Sequence, residues 1–164
     1  MPTGSTIRGL LCLCNAAEEV LRFDVVGMEP APQGSKRPVG RDRQGRSLMV
    51  ESCKRVKPWR QLVADAALAA VPRRPLIASP CVLCAEFRFL RPKGHHGASG
   101  QLKAKAPRHH TVRPDVSKLL RSTEDALTGV LLRDDSLIIA APAMKRYCLP
   151  DERPGALITL YVLP

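Results

Sequence analysis

Apolar and polar residues alternate through LRFDVV, Leu21 to Val26, which is the period of a half-buried strand. Further on, Val56, Trp59, Leu62, Val63, Ala66, Ala67 and Ala70 recur at steps of three and four. That spacing predicts a helix ending near Ala70, before VPRRP, with Trp59 as a core anchor. Pro58 falls in its first turn, where a missing N–H does no harm. CVLCAEFRFL, Cys81 to Leu90, reads as a second strong strand. Helical spacing returns from Pro114, where Val116, Leu119, Leu120, Thr123, Leu127, Val130 and Leu131 form one stripe. At about 100° per residue, Asp115, Lys118, Ser122 and Asp125 fall on the opposite side or its border. SLIIAAPAMKRY and ALITLYVL supply the last two strands. The order β–loop–α–β–loop–α–β–β predicts an α/β (α+β) fold, with one mixed sheet packed against two main helices. There is no internal repeat and no coiled coil. Residues 21–164 read as one domain, and residues 1–20, including the helix-compatible NAAEEV, as an extension of uncertain role.

The segments between these elements are long, and they are basic. GMEPAPQGSKRPVGRDRQGRSLMVESCKRVKP is rich in Gly and Pro and suggests an excursion with a hairpin around DRQGR. From Lys36 to Arg60 it carries nine Lys/Arg and two acids. This is either a solvated basic loop or one that grips phosphates, with Gln33, Ser35, Lys36 and Arg37 near a DNA backbone. RPKGHHGASGQLKAKAPRHHTVRP has six Lys/Arg, four His and no acid, the composition of a mobile surface loop. Lys103, Lys105, Arg108 and Arg113 are its candidate phosphate contacts, and His109 and His110 read as solvated or phosphate-facing.

The totals narrow the partner. A chain of 164 residues can bury a real core, and with 45% hydrophobic but only 4% aromatic residues that core rests on Leu, Val, Ile and Ala. A net charge of +11 and a pI near 9.9 point to a polyanion, nucleic acid before membrane. No apolar run is long enough to span a bilayer. The six cysteines follow no disulfide framework, and reduced thiols in the cytoplasm are the better reading. CVLC with His95 and His96 downstream invites a zinc assignment. Residues three apart on a strand, however, point to opposite faces, so Cys81 and Cys84 read as buried strand cysteines instead.

RPDVSKLLRSTEDALTGVLLRDDSLI, Arg113 to Ile138, holds five of the fifteen acids: Asp115, Glu124, Asp125, Asp134 and Asp135. A carboxylate at a helix start and others before an adjacent strand can converge, and hard oxygen ligands suit Mg²⁺ or Mn²⁺. Lys118 or Arg121 would then neutralise charge on a phosphate. The plainer alternative is that Asp115 sits where a helix N-terminus favours acids and that RDD is a polar turn. Composition and spacing leave both open.

The same stretch resembles RusA-type Holliday junction resolvases, whose pattern runs Asp-x-Asp-Asn-Leu, a basic residue, Asp-Ala-Leu, then Asp-Asp before a strand. PAPQGSKRPVG and VKPWRQLVADAA resemble members of that family too, and the likeness runs in order from Leu21 to Leu163. It implies that Asp115 is the first catalytic aspartate and Asp135 the aspartate of the Asp-Asp pair. Asp125 is implied to match the Asp-Ala-Leu position, and Arg121 to occupy the place of the catalytic lysine. Arg121 keeps the charge, but guanidinium is a poor proton donor. Lys118 stands where the family has asparagine, and Ser117 stands where it has its second aspartate. One carboxylate is therefore missing from the family's usual metal cluster; beside Asp115 and Asp135, Asp134 or Asp125 would compensate as metal ligands, or the Ser117 hydroxyl would act through water. The resemblance further implies Mg²⁺ or Mn²⁺, a homodimer, branched DNA with four-way junctions as substrate, and a role in recombination and repair. The rivals are a DNA-binding protein on the same fold, inactivated at Ser117, and a basic structural or assembly protein.

Overall fold

The period-two stretches pair into one sheet because their apolar positions all have to face the same helices. A computed structural model describes residues 18–163 apart from 35, 52, 73 and 74, and leaves the side chains of 18–20, 36–37 and 49–51 undescribed. Its strands are β1 (Glu18–Val26), β2 (Lys36–Arg41), β3 (Ser47–Glu51), β4 (Cys81–Phe89), β5 (Ile138–Ala140), β6 (Ala143–Tyr147) and β7 (Gly155–Val162). The helices are α1 (Val56–Ala70) and α2 (Val116–Leu127). The main sheet runs β1-β7-β4-β5, with β6 also on β4. β7 is antiparallel to both β1 and β4, while β5 and β6 run parallel to β4. This is the mixed sheet with two helices that the pattern predicts. The hairpin expected around DRQGR is β2–β3, a separate two-stranded ribbon, whose turn is tied by Asp42 accepting from the Gln44 and Arg46 N–H groups, each at 2.9 Å.

Along β4, Cys81, Leu83, Ala85, Phe87 and Phe89 face the core, joined there by Ala156, Ile158 and Leu160 of β7. Trp59, Val63 and Ala67 of α1 and Leu119, Ala126 and Leu127 of α2 close the layer from above. Trp59 is fully buried, as its place on the apolar face of α1 predicts. Gly155 begins β7 because nothing larger fits: a Cβ there would lie 1.8 Å from the Val25 carbonyl oxygen, at φ +155°. On the other side of the sheet, Arg88 pairs with Asp24 and Glu152, and Arg146 with Glu86 and Glu152. That network holds the Glu152 carboxyl down at about 2, chiefly through its hydrogen bond from Arg146.

Five expectations need correcting. β1 begins at Glu18 rather than Leu21, so the end of NAAEEV is strand and not helix. SLIIAAPAMKRY is not continuous: Pro142 lacks the N–H a ladder needs, and the chain breaks there into β5 and β6. α2 stops at Leu127, before Gly129 at φ +77°, so Val130 and Leu131 lie in the turn that follows. Ser122 is fully buried, not on the polar side. His110 is neither solvated nor phosphate-facing, because it stacks on Phe89 with ring centroids 4.3 Å apart and packs against Tyr147. Burial, then the charge of Lys145, pushes its imidazole pKa down. Cys81 is buried and Cys84 half-buried. Among the described residues, no three His, Cys, Asp or Glu side chains are grouped to hold a metal. Nor is any helix there long and apolar enough to cross a membrane.

Candidate active site

α2 starts where Pro114 ends an extended segment, and Asp115 takes the N-cap position with β-region dihedrals. Its side chain does not cap the helix. It turns outward instead and pairs with Lys118 at 3.2 Å, with both side chains more than half exposed. The capping explanation for this aspartate therefore loses its hydrogen bond, and only the favourable helix dipole remains.

The PAPQG loop reaches the same end of α2, with the Gln33 N–H donating to the Lys118 carbonyl at 3.0 Å. Two adjoining clefts result, sharing Gly34 and Lys118. One, of about 480 Å³, has Arg55, Arg113, Asp115 and Lys118 in its wall. The other, of about 320 Å³, has Gln33, Ser117, Lys118 and Arg121. Three cations thus share one cleft with a single carboxylate, and Arg121 lines the adjoining cleft. Arg55 spends part of its charge on Glu29, 3.5 Å away, while Arg113 and Arg121 are exposed. Lone oxygens of a phosphodiester would find several donors here.

The other end of α2 carries the remaining acids. Asp125 accepts from Arg60 of α1, and both side chains are partly buried. Asp134 accepts from the Ser136 N–H at 2.9 Å. Hydrogen bonding to Ser136 draws its carboxyl below the ordinary range. Asp135 is exposed and opens a 3-10 turn, Asp135–Leu137. Glu124 lies close enough to feel it: burial first, then the charges of Asp135 and Asp125, raise the Glu124 carboxyl above its usual value.

The basic candidates divide. Gln33 and Arg113 line the clefts. Ser35 lies outside the described residues, and Lys36 and Arg37 contribute backbone to β2. Lys103 is turned onto its own loop, donating to the Gly94 carbonyl at 2.9 Å. Lys105 and Arg108 are exposed. The pattern reading missed Arg55, Arg60 and Glu124 as neighbours of the site. For Glu124 a signal existed: Ser117, Arg121 and Glu124 are four and three residues apart and share a helix face. For Arg60, 65 residues from Asp125, there was none.

A mixed sheet under two helices, with a cationic cleft and separate carboxylates at the ends of one helix, defines an α+β protein with a charged surface site. Residues 29–161 match the family described as Endodeoxyribonuclease RusA, and the chain belongs to that family. It is 31% identical over 134 residues to the uncharacterized protein YqaN of Bacillus subtilis (strain 168), an alignment covering 79% of this chain and 89% of that protein.

RusA-type enzymes generally depend on a divalent metal. The donors present are hard carboxylate oxygens, the right chemistry for Mg²⁺ or Mn²⁺. They do not form a closed cage. They suit a hydrated Mg²⁺, which is commonly held by one or two carboxylates with water and substrate phosphate completing its shell. Asp115, Asp134 and Asp135 are the exposed members of the set, and Asp134 is already engaged by Ser136.

Proposed function

We propose that this protein is a metal-dependent, structure-specific endonuclease that nicks four-way DNA junctions in recombination and repair, acting as a homodimer with Mg²⁺ or Mn²⁺. Family membership supports the reaction class. The observation that carries the rest is the exposed, non-capping Asp115 among Arg55, Arg113, Lys118 and Arg121. A lone carboxylate in a cationic cleft repels the very phosphate its neighbours attract, unless it holds a cation in between.

In this reading Arg113 and Arg55 seat the phosphodiester, and Lys118 and Arg121 offset charge that builds on its oxygens. Gln33 and the basic segments 36–60 and 91–113, with Lys36, Arg37, Lys103, Lys105 and Arg108, follow the flanking backbone. Asp115 would hold a hydrated cation at the start of α2, and Asp135, at the other end of the helix, would hold a second. Asp134 and Asp125, already engaged by Ser136 and Arg60, support them. Bound metal supplies an activated water and stabilises the leaving oxygen. Guanidinium is a poor proton donor, so any proton given to the leaving group comes from a group other than Arg121.

The test is a synthetic four-way junction incubated with the protein in Mg²⁺, Mn²⁺ or chelator. Symmetric nicks that require metal are the expected result. Tight binding without nicks in either metal would favour the second reading, a DNA-binding protein disabled at Ser117, where the family's second aspartate is replaced. Neither binding nor nicking would leave a basic structural protein.

A further inference from the structure

Asp115 follows a stretch anchored at His110, by its packing on Phe89 and Tyr147, and held by little backbone bonding after it. Among the described residues, no backbone–backbone hydrogen bond engages residues 108–114, and Pro114 has no N–H to give. What ties the end of this stretch down is a side chain from the sheet. Lys145 of β6 donates from Nζ to the Val112 carbonyl at 2.5 Å and to the Pro114 carbonyl at 2.7 Å. An ammonium has three donors, and two of them clamp the carbonyls on either side of Arg113, one residue short of Asp115. Lys145 is half-buried, pairs across the ladder with Phe87, and sits in the strand that packs against α2. Its own position is fixed by the core. No acid forms a salt bridge with it among the described residues.

We propose that Lys145 is the positioning residue of the active site. It transmits the rigid register of β6 to the segment Val112–Pro114, and so sets where Arg113 and Asp115 stand in the cleft. It touches neither DNA nor metal. The placement rests on the endonuclease reading, since it matters only if Asp115 and Arg113 must be held for chemistry. A charged clamp on two carbonyls is stronger than a neutral one. Near the reacting centre, displacements of about 1 Å can cost about a hundredfold in rate.

Lys145→Met keeps the apolar stem and deletes the donors. It should lower kcat for junction nicking by about a hundredfold and raise the metal concentration for half-maximal cleavage. Junction affinity in chelator should be within about threefold of wild type, because the basic segments are untouched. Lys145→Arg, which restores a cationic donor, should recover part of the rate. Amide hydrogen exchange gives a readout independent of cleavage: the amides of residues 119–122, the first of which bonds the Asp115 carbonyl at 3.2 Å, should exchange at least about tenfold faster in Lys145→Met, with β4 and β7 unchanged. Asp115→Asn run in parallel separates the two claims. If Asp115→Asn is inactive while Lys145→Met nicks at the wild-type rate with wild-type metal dependence, the Lys145 assignment is overturned. If neither wild type nor Asp115→Asn nicks junctions in Mg²⁺ or Mn²⁺, the endonuclease reading falls, and unchanged exchange in Lys145→Met would then remove the clamp as well. Uniformly faster exchange with a lowered melting temperature would make Lys145 a general stabiliser and also refute the proposal. Should Lys145→Met not fold, Lys145→Gln, with one amide group left to donate, carries the same expectations in smaller measure.

Discussion

The two ends of α2 are built from the same kinds of charged residue and treat them in opposite ways. Toward the start, Lys118, Arg55 and Arg113 share a cleft with one exposed carboxylate, and Arg121 lines the cleft beside it. At the finish, roughly 18 Å on by helical rise, Glu124, Asp125, Asp134 and Asp135 gather, and two of them already have partners. Stable helices prefer the reverse, acids in the first turn and cations in the last. α2 has no acid in its first turn and no base in its last. Its side chains add to the backbone dipole instead of offsetting it. The helix thus presents an anion-attracting end and a cation-attracting end at some cost in its own stability, a trade common at functional sites. This answers why a chain of charge +11 keeps so many of its acids together.

The largest expected effects come from removing one carboxylate at each end. Asp115→Asn and Asp135→Asn should each reduce metal-dependent nicking by orders of magnitude. Binding to a junction in chelator should hold steady or tighten slightly in gel-shift titrations. If only one variant loses activity, the two ends do not cooperate. Next, Ser117→Asp adds a carboxylate to the cationic end. It should lower the metal concentration for half-maximal cleavage, and unchanged metal dependence would show that Ser117 is no vacated ligand position. Neutralising Lys118 and Arg121 together should reduce the salt slope of junction binding by about two, whereas Lys103→Met, whose ammonium is spent on its own loop, should change it less.

Smaller effects test the acidic end. Arg60 and Asp125 should show a coupling of about 1 kcal/mol in a double-mutant cycle read by denaturant unfolding. Glu124→Gln should stabilise the protein at neutral pH, by less than about 1 kcal/mol once solvent screening is allowed for. The sign follows from its raised carboxyl. A group of that kind stabilises fully below its unfolded value, and the contribution is lost as pH rises through the higher folded one. The advantage of the Gln variant should therefore disappear in melting curves taken below the ordinary Glu range.

Much of this fold was legible because burial is periodic. Val56 to Ala70 has every inward position filled by an apolar residue, and α1 matches it end to end. β4 ends within a residue of its expected limit. Failures came where one polar residue interrupted a period or a distant element decided burial. Ser122 sits three after Leu119 and four before Ala126, squarely on the buried stripe, and its hydroxyl hid that. His110 is buried by Phe89 and Tyr147, which come from separate strands. The site was legible as a set of acids and cations, but their division between two ends of α2 was not. It depends on Arg60, on Gln33 reaching Lys118, and on the clamp from Lys145, all contacts across the fold.

The interruption at Pro142 bears on how two copies could meet. β5 and β6 form the rim of the main sheet beyond β4, and an uninterrupted rim invites a neighbouring molecule to add its own strand there. Here the rim is cut into runs of three and five residues, and the Pro142 carbonyl between them is turned inward to accept the Ala85 N–H at 3.1 Å. A visiting strand would find no continuous row of donors and acceptors. Along that margin the protein is closed to fusion of two sheets into one, which leaves the nine residues of β1, at the opposite edge, as the longer border of the main sheet.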